Sequence, residues 1–396
     1  MHKPTAASPN TSNINATNAT NATNATNAKT TQRPNIKHIV VGGGGTTGFM
    51  TFGALKFLQE NDFWNISNIK TIYGTSVGSI VATSIALKYD WETLLTYFIR
   101  RPWNKLYAYN KSDMVLNLYN QKGIFKRTIF EKTVQPLLEG RGLSGDITMK
   151  GLFEYSKIDV HFFSLELNSM TKTDLSYKTH PDLRVVDAIY MSSACPILFS
   201  PCIDEASKTC YVDGGLICNY PVNECIENEK CIPDEILGMR NIFEHYVNPV
   251  TESTSVFEYF TSIYKQVTMY ALNEQSYQPI QNEVVCITDN SGTDFVRWID
   301  ALKADNIIAL MNKGEMYARL FMKYKGHKTN IEITQCGTRV STATKTKPQI
   351  LIDDVDDTDS GSDDAGSRDH GNDCEPSDGE LGLDLHAKPS CKDGCE

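Results

Sequence analysis

The sequence lacks long apolar runs. No stretch reaches the roughly 18 apolar residues that a membrane-spanning helix needs, and the first 35 residues hold no apolar segment of the kind found in signal peptides. We therefore expect a cytoplasmic chain without a secretory signal. The eleven cysteines include no C-x-x-C pair and the eight histidines show no metal-ligand spacing, so we expect reduced thiols, no metal and no bound cofactor.

Positive charge is scarce at one end of the chain. Residues 351–396 contain 15 Asp or Glu but only three Lys or Arg, a local charge of −12. Since the whole chain carries −10, residues 1–350 carry about +2. A like-charge block of this kind is typical of a solvated tail, so we predict an acidic disordered tail at 336–396. The near-neutral remainder lacks the basic character of a nucleic-acid binder.

The other end has almost no side chain larger than alanine that could join a core. Residues 10–28 repeat Asn-Ala-Thr, which predicts a disordered leader over residues 1–35. The repeat supplies four N-x-T sequons, which would matter only in a secreted chain, at Asn15, Asn18, Asn21 and Asn24. Residues 36–335 remain as one folded domain.

A glycine-rich loop follows the first predicted strand of this domain. The apolar run Ile36–Val41 predicts a buried parallel strand, and VVGGGGTTGF continues from it into a helical pattern. Gly43, Gly45 and Gly48 fit G-x-G-x-x-G, which is typical of a dinucleotide-binding loop. Such a site also needs an acidic residue at the end of the second strand to bind the ribose hydroxyls.

The second predicted strand ends in a different motif. Residues 69–73 read as a strand, and Gly74-Thr75-Ser76-Val77-Gly78 follows with no acid in it. This segment matches G-x-S-x-G, the nucleophile elbow, in which a tight strand-to-helix turn exposes the serine. Ser76 could instead only cap the following helix. Because both loops end parallel strands at one sheet edge, the free N–H groups of the glycine loop suit an oxyanion hole beside Ser76.

A carboxylate in a later turn is the candidate base for this serine. Asp213 lies in the turn Tyr-Val-Asp-Gly-Gly, after the segment SSACPILFSP and before Asn-Tyr-Pro. With the glycine loop and the elbow, this turn resembles the patatin-like phospholipases, whose signatures are G-G-G-x-[KR]-G, G-x-S-x-G and D-G-[AG], in this order. The resemblance covers about residues 36–330. It implies a three-layer α/β/α fold with a mainly parallel central sheet.

The resemblance also assigns roles to residues. It makes Ser76 the nucleophile and Asp213 its direct base, in a dyad that cleaves acyl esters through an acyl-serine without a cofactor. The substrate implied is a lipid or phospholipid, which allows a transient contact with a membrane surface. The oxyanion hole would be formed by Gly43, Gly44 and Gly45, and the motifs would be supported by Gly48, Gly74, Gly78, Gly214 and Gly215.

One position departs from the family pattern, and two alternatives stay open. Thr47 stands where the family loop usually has Lys or Arg, which favours a lipid-binding protein without catalysis as one alternative. The other is a Ser-His-Asp esterase that uses His245 or His327. An aromatic-rich segment that starts at Phe257 has apolar residues on more than one helical face, so we predict a core helix rather than a membrane-facing one.

Overall fold

The computed structural model describes residues 34–108, 110–243, 249–288 and 295–325. The predicted tail at 336–396 and all but the last two residues of the predicted leader at 1–35 lie outside these ranges. The strands are β1 His38–Val41, β2 Thr71–Thr75, β3 Gly123–Phe125, β4 Asp159–Glu166, β5 Thr171–Leu175, β6 Ile197–Phe199, β7 Cys202–Asp204, β8 Thr209–Asp213, β9 Ile236–Phe243 and β10 Glu283–Thr288.

The helices connect these strands. They are α1 Gly48–Glu60, α2 Val77–Ala86, α3 Trp91–Arg100, α4 Trp103–Leu106, α5 Lys111–Gln121, α6 Thr128–Glu139, α7 Met149–Ser156, α8 Val185–Ser193, α9 Val222–Glu229, α10 Val256–Glu274, α11 Phe295–Asp300 and α12 Ala304–Tyr324. None of them combines the length and the apolar character that crossing a membrane would need.

The main sheet has eight strands and is largely parallel. Its order is β10-β9-β1-β2-β4-β8-β7, and β5 pairs with β4 in addition. The five strands from β10 to β4 are parallel to one another, whereas β5, β7 and β8 form antiparallel pairs. Strands β3 and β6 form a separate parallel pair. The predicted α/β class with a mainly parallel sheet is confirmed.

Helices cover both faces of this sheet, because successive side chains of each strand point to opposite sides. In β1, Ile39 and Val41 belong to a large apolar core that includes residues of α1, α2, α8 and α12. Val40 faces the other way, into a smaller cluster with Tyr220 and with Cys225 of α9. Two apolar layers therefore separate the sheet from its helices, as expected for a three-layer fold.

The strand register brings the predicted motifs together at one edge. Val41 pairs with Gly74, so the loops after β1 and β2 start side by side. Thr75 pairs with Phe163 of β4, and the next β4 residue, Ser164, pairs with Asp213 at the end of β8. The antiparallel strand β8 therefore delivers Asp213 to the level of the residue after Thr75, although 137 residues separate it from Ser76.

Candidate active site

The turn between β2 and α2 holds Ser76 in an unusual backbone conformation. Its φ and ψ angles are 56° and −124°, and a positive φ is uncommon for a residue with a Cβ. The serine occupies the position before the first turn of α2, yet its hydroxyl makes no capping hydrogen bond. Capping therefore does not explain this side chain. The geometry is that of a nucleophile elbow, which presents the serine hydroxyl away from the sheet.

The Ser76 hydroxyl is hydrogen-bonded to Asp213. Ser76 Oγ donates to Asp213 Oδ2 at 2.6 Å, and the other carboxylate oxygen, Oδ1, accepts a 2.7 Å hydrogen bond from the Gly215 N–H. Burial raises the pKa of Asp213 to about 6, although both hydrogen bonds lower it in part. A buried carboxylate with this pKa is a stronger base than an ordinary aspartate, and it is still ionised at neutral pH.

Close packing explains four of the predicted glycines. A Cβ on Gly78 would lie 2.5 Å from the Val41 carbonyl oxygen, and one on Gly74 would collide with the Gly78 carbonyl. In the same way, a Cβ on Gly214 would collide with the Phe163 carbonyl of β4, and one on Gly48 with the Val77 side chain. These positions fix how tightly the elbow and the Asp213 turn pack against the strands.

The glycine loop after β1 divides into two parts. The Gly43 N–H donates a 3.0 Å hydrogen bond to the Asn219 carbonyl, so that donor is engaged in this conformation. Gly44 and Gly45 have φ angles of 151° and 59°, which L side chains rarely adopt, and they line the cavity beside Ser76. Of the three glycines predicted to form the oxyanion hole, Gly44 and Gly45 therefore lie at the cavity wall.

Thr47 is buried beneath this loop. Its side chain is 1% exposed, and Oγ1 has no hydrogen-bond partner among the described residues. The Thr47 N–H donates to the Gly44 carbonyl at 3.2 Å. An uncharged threonine therefore packs under the loop. The Lys or Arg that usually stands at this position in the family would bury a positive charge there.

Several polar side chains that the motifs do not include hold the site together. Ser192 Oγ accepts a 3.0 Å hydrogen bond from the Ser76 N–H and donates to the Phe163 carbonyl at 2.7 Å. Asn241 Nδ2 donates to the Gly43 carbonyl at 3.2 Å. Gln275, just after α10, accepts from the Asn219 N–H at 2.8 Å and donates to the Gly215 carbonyl at 3.3 Å.

An apolar cavity of about 190 Å³ opens beside the serine. Ser76, Asp213, Gly44 and Gly45 lie in its wall. Most of the other lining side chains are aromatic or aliphatic: Phe49, Phe52, Phe98, Trp103, Tyr107, Phe130, Leu198, Phe199, Phe243, Trp298 and Leu302. Apolar cavities of about 150 Å³ already admit benzene-sized guests. The arrangement suits an apolar chain whose polar end meets the Ser76 hydroxyl.

The helix predicted from Phe257 differs from the expected core helix. It forms α10, but Tyr264, Thr268 and Met269 face the cavity while the opposite side is open to solvent. The prediction of a core helix was therefore wrong for the outer face. The apolar residues on two sides of this helix reflect a cavity on one side and solvent on the other.

One group of described side chains could offer ligands to a metal ion. Ligand atoms of Asp159, His161 and Glu229 lie within 4.8 Å of one another, at the strand end that is opposite the serine. Burial alone would lower the pKa of His161, but the carboxylates of Asp159 and Asp174 outweigh it and raise this pKa to about 9. Lys178 Nζ also lies 2.8 Å from Asp159. Two cationic side chains, His161 and Lys178, therefore already lie beside Asp159.

The two histidines of the alternative triad, His245 and His327, lie outside the described residues. The described residues do include seven of the eleven cysteines, and these seven carry free thiols. The predicted reduced state therefore agrees with the structure at those seven positions.

Comparison with known proteins finds similar proteins that are named for lipid hydrolysis. Probable lipid hydrolase 463L of invertebrate iridescent virus 6 is 24% identical over 215 residues, which cover 53% of this chain and 71% of the viral protein. The cGAMP-activated phospholipase of Escherichia coli (strain TW11681) is 21% identical over 210 residues, which cover 48% of this chain and 54% of that protein. The matches thus span between about half and seven tenths of these relatives.

Among solved structures, the crystal structure of VipD from Legionella pneumophila is similar at a TM-score of 0.43, with 15% identity over 74% of this chain and 67% of VipD. A family model described as patatin-like phospholipase matches residues 39–226. The glycine loop, the elbow and the Asp213 turn all lie within that range. Residues 39–226 of this chain therefore match the patatin-like phospholipase family.

Proposed function

We propose that this protein is a lipid acyl hydrolase in which Ser76 is the nucleophile and Asp213 the base. The observation that carries the proposal is the 2.6 Å hydrogen bond between Ser76 Oγ and Asp213 Oδ2 at the wall of an apolar cavity. The family match and the relatives named for lipid hydrolysis support the same reaction class.

The first half-reaction forms an acyl-serine. Ser76 Oγ attacks the ester carbonyl while its proton passes to Asp213 Oδ2, so the carbonyl oxygen becomes an oxyanion. The N–H groups of Gly44 and Gly45 donate to that oxyanion, and the N-terminal end of α2 adds a favourable field. The tetrahedral intermediate then collapses, and the proton on Asp213 passes to the departing alcohol or lysolipid.

The second half-reaction releases the fatty acid. Water attacks the acyl-serine carbonyl and gives one proton to Asp213, and the collapse of the new intermediate returns that proton to Ser76 Oγ. The carboxylate and the hydroxyl end the cycle as they began. Because one carboxylate serves both steps, no histidine is needed.

The cavity walls support a lipid substrate. Aromatic and aliphatic side chains dominate the lining, so the acyl chain would be bound by apolar contact and the ester placed at Ser76. Residues 1–350 carry about +2, which does not repel an anionic lipid surface. We propose a lipid or phospholipid substrate reached during transient contact with a membrane surface.

A fluorophosphonate probe tests the dyad, because it reacts with an activated serine. We expect labelling at Ser76, with loss of both labelling and p-nitrophenyl ester hydrolysis in Ser76→Ala and a comparable loss in Asp213→Asn. Loss of the base should lower turnover by about 10²-fold or more. Labelling at another serine, or a fully active Asp213→Asn variant, would rule out the proposed dyad.

Histidine variants provide the matched control. His245→Ala and His327→Ala should hydrolyse the ester at the rate of the unmodified protein. A folded but inactive histidine variant would favour the Ser-His-Asp alternative. A protein that binds lipid vesicles, yet neither labels nor turns over esters, would favour the non-catalytic alternative.

A further inference from the structure

One face of α10 carries an unbroken row of exposed apolar side chains. Its members are between 42% and 72% exposed, and all are aliphatic or aromatic: Val256, Tyr259, Phe260, Ile263, Val267 and Tyr270. Each of them lies three or four residues from another member of the row, which places them all on one side of the helix. An apolar row of this length exposed on a monomer marks a surface that meets another molecule or a membrane.

The opposite face of the same helix belongs to the cavity. Tyr264, Thr268 and Met269 line it, and the Tyr264 hydroxyl lies 3.4 Å from the sulfur of Cys195. Gln275, just after the helix, is hydrogen-bonded to Gly215 and Asn219, which follow Asp213 in the chain. One helix therefore separates the cavity beside Ser76 from the exposed row.

A second exposed apolar group lies on α5. Val115, Leu116 and Tyr119 are 57% to 86% exposed. Tyr107, four residues before this helix begins, lines the cavity and packs edge-on against Trp298 at a ring distance of 4.6 Å. The segment that leads into α5 and the helix α10 thus both border the same cavity.

The chain around α5 is strongly basic. Residues 100–132 contain eight Lys or Arg and two Asp or Glu, a local charge of +6. Lys105 and Lys126, on either side of α5, have exposed side chains. Exposed apolar residues flanked by lysines are typical of helices that lie at the surface of an anionic bilayer.

We propose that the α10 row and the apolar residues of α5 form one docking surface that seats the cavity on an anionic lipid bilayer. The proposal rests on the proposed function, because it names the place from which that site would take its lipid. Apolar side chains would enter the interfacial region while the lysines meet lipid phosphates. A second copy of this chain fits less well, since two surfaces with the same +6 segment would repel each other.

Vesicle binding tests the surface without requiring hydrolysis. The probe is a set of sucrose-loaded vesicles, either of phosphatidylcholine alone or of equal parts phosphatidylcholine and phosphatidylglycerol. We expect the protein to sediment with the mixed vesicles and less with phosphatidylcholine alone. Phe260→Asp/Val267→Asp should lower the partition coefficient by about tenfold or more, because two exposed apolar side chains that would enter the bilayer become charges.

The matched control adds the same two charges elsewhere. Met170 and Ile232 are 63% and 61% exposed, close to the 60% of Phe260 and Val267, and Ile232 precedes β9 at the sheet edge opposite Ser76. Met170→Asp/Ile232→Asp should bind vesicles like the unmodified protein. Equal losses in both double variants would overturn the proposal, since only net charge would then matter.

Further arms separate the remaining outcomes. Lys105→Gln/Lys126→Gln should reduce the preference for phosphatidylglycerol, and an unchanged preference would overturn the charge argument. Ser76→Ala should still bind vesicles, so this test does not depend on the proposed dyad.

Lack of vesicle binding by the unmodified protein would overturn the docking surface even if ester hydrolysis is found. A dimer that only Phe260→Asp/Val267→Asp dissociates, without vesicle binding, would assign the surface to a second copy.

Discussion

Replacing Asp213 by asparagine should stabilise the fold although it removes the proposed base. The carboxylate is 7% exposed, and burial raises its pKa from 3.8 to about 6. Asparagine can keep both contacts, because its carbonyl oxygen can accept from the Gly215 N–H and its amide can donate to Ser76 Oγ. The substitution therefore removes a buried charge without emptying space, and the Ser76 hydroxyl changes from donor to acceptor.

The size of the effect follows from proton linkage. Between pH values of about 4 and 6 the folded chain holds a proton on Asp213 that the unfolded chain has lost, so stability falls as pH rises through this window. At about 1.4 kcal/mol per pKa unit, the difference between 3.8 and about 6 corresponds to about 3 kcal/mol as an upper limit. Asp213→Asn should recover much of this at pH 7 and little at pH 4.

Urea unfolding at both pH values measures this gain as a difference in the free energy of unfolding. Asp204→Asn is the matched control, because hydrogen bonds from the Ser207 side chain and the Ala206 N–H lower the pKa of that exposed carboxylate. The control should lose some stability at pH 7 instead of gaining it. An Asp213→Asn variant that is less stable than the unmodified protein at pH 7, or that gains equally at pH 4, would refute the reasoning.

Three further predictions concern the same region. Ester hydrolysis should increase as pH rises through about 6, because Asp213 must be ionised to accept the proton, and a kcat/KM profile centred near 4 would contradict the buried base. Thr47→Val should leave the free energy of unfolding unchanged or raise it by up to about 1 kcal/mol in urea titrations, because the buried Oγ1 has no partner among the described residues. A clear loss of stability would contradict this reading of Oγ1. Gln275→Ala should lower turnover and should lower the free energy of unfolding by about 1–3 kcal/mol, because it leaves the Asn219 N–H unpaired. Unchanged values would show that the Gln275 contacts do not position the Asp213 loop.

The sequence predicted the motif residues because each motif carries a local constraint. The loop with Gly44 and Gly45 needs positive φ angles, and the elbow needs close backbone contact at Gly78. Such demands leave short patterns that can be read without the fold. The predicted parallel order of the first two strands was confirmed for the same reason, since apolar runs ending in glycine mark buried strands.

Residues that act over long sequence distances could not be found in this way. Ser192 accepts a hydrogen bond from the N–H of Ser76, 116 residues away, and Gln275 donates to the carbonyl of Gly215, 60 residues away. A single serine or glutamine has no distinguishing pattern until tertiary contacts are known. The outer face of α10 was mispredicted because the pattern shows which residues are apolar, and it does not show whether core, cavity or solvent faces them.

The position of Asp213 on β8 has a consequence for the nascent chain. Ser76 and its carboxylate partner are 137 residues apart, at the ends of β2 and β8, which pair with opposite edges of β4. During synthesis at about 5–20 residues per second, the elbow emerges many seconds before its partner does. A chain cut or stalled before β8 would present the serine without the carboxylate. With the proposed dyad, reactivity at Ser76 would therefore report that β8 has paired with β4.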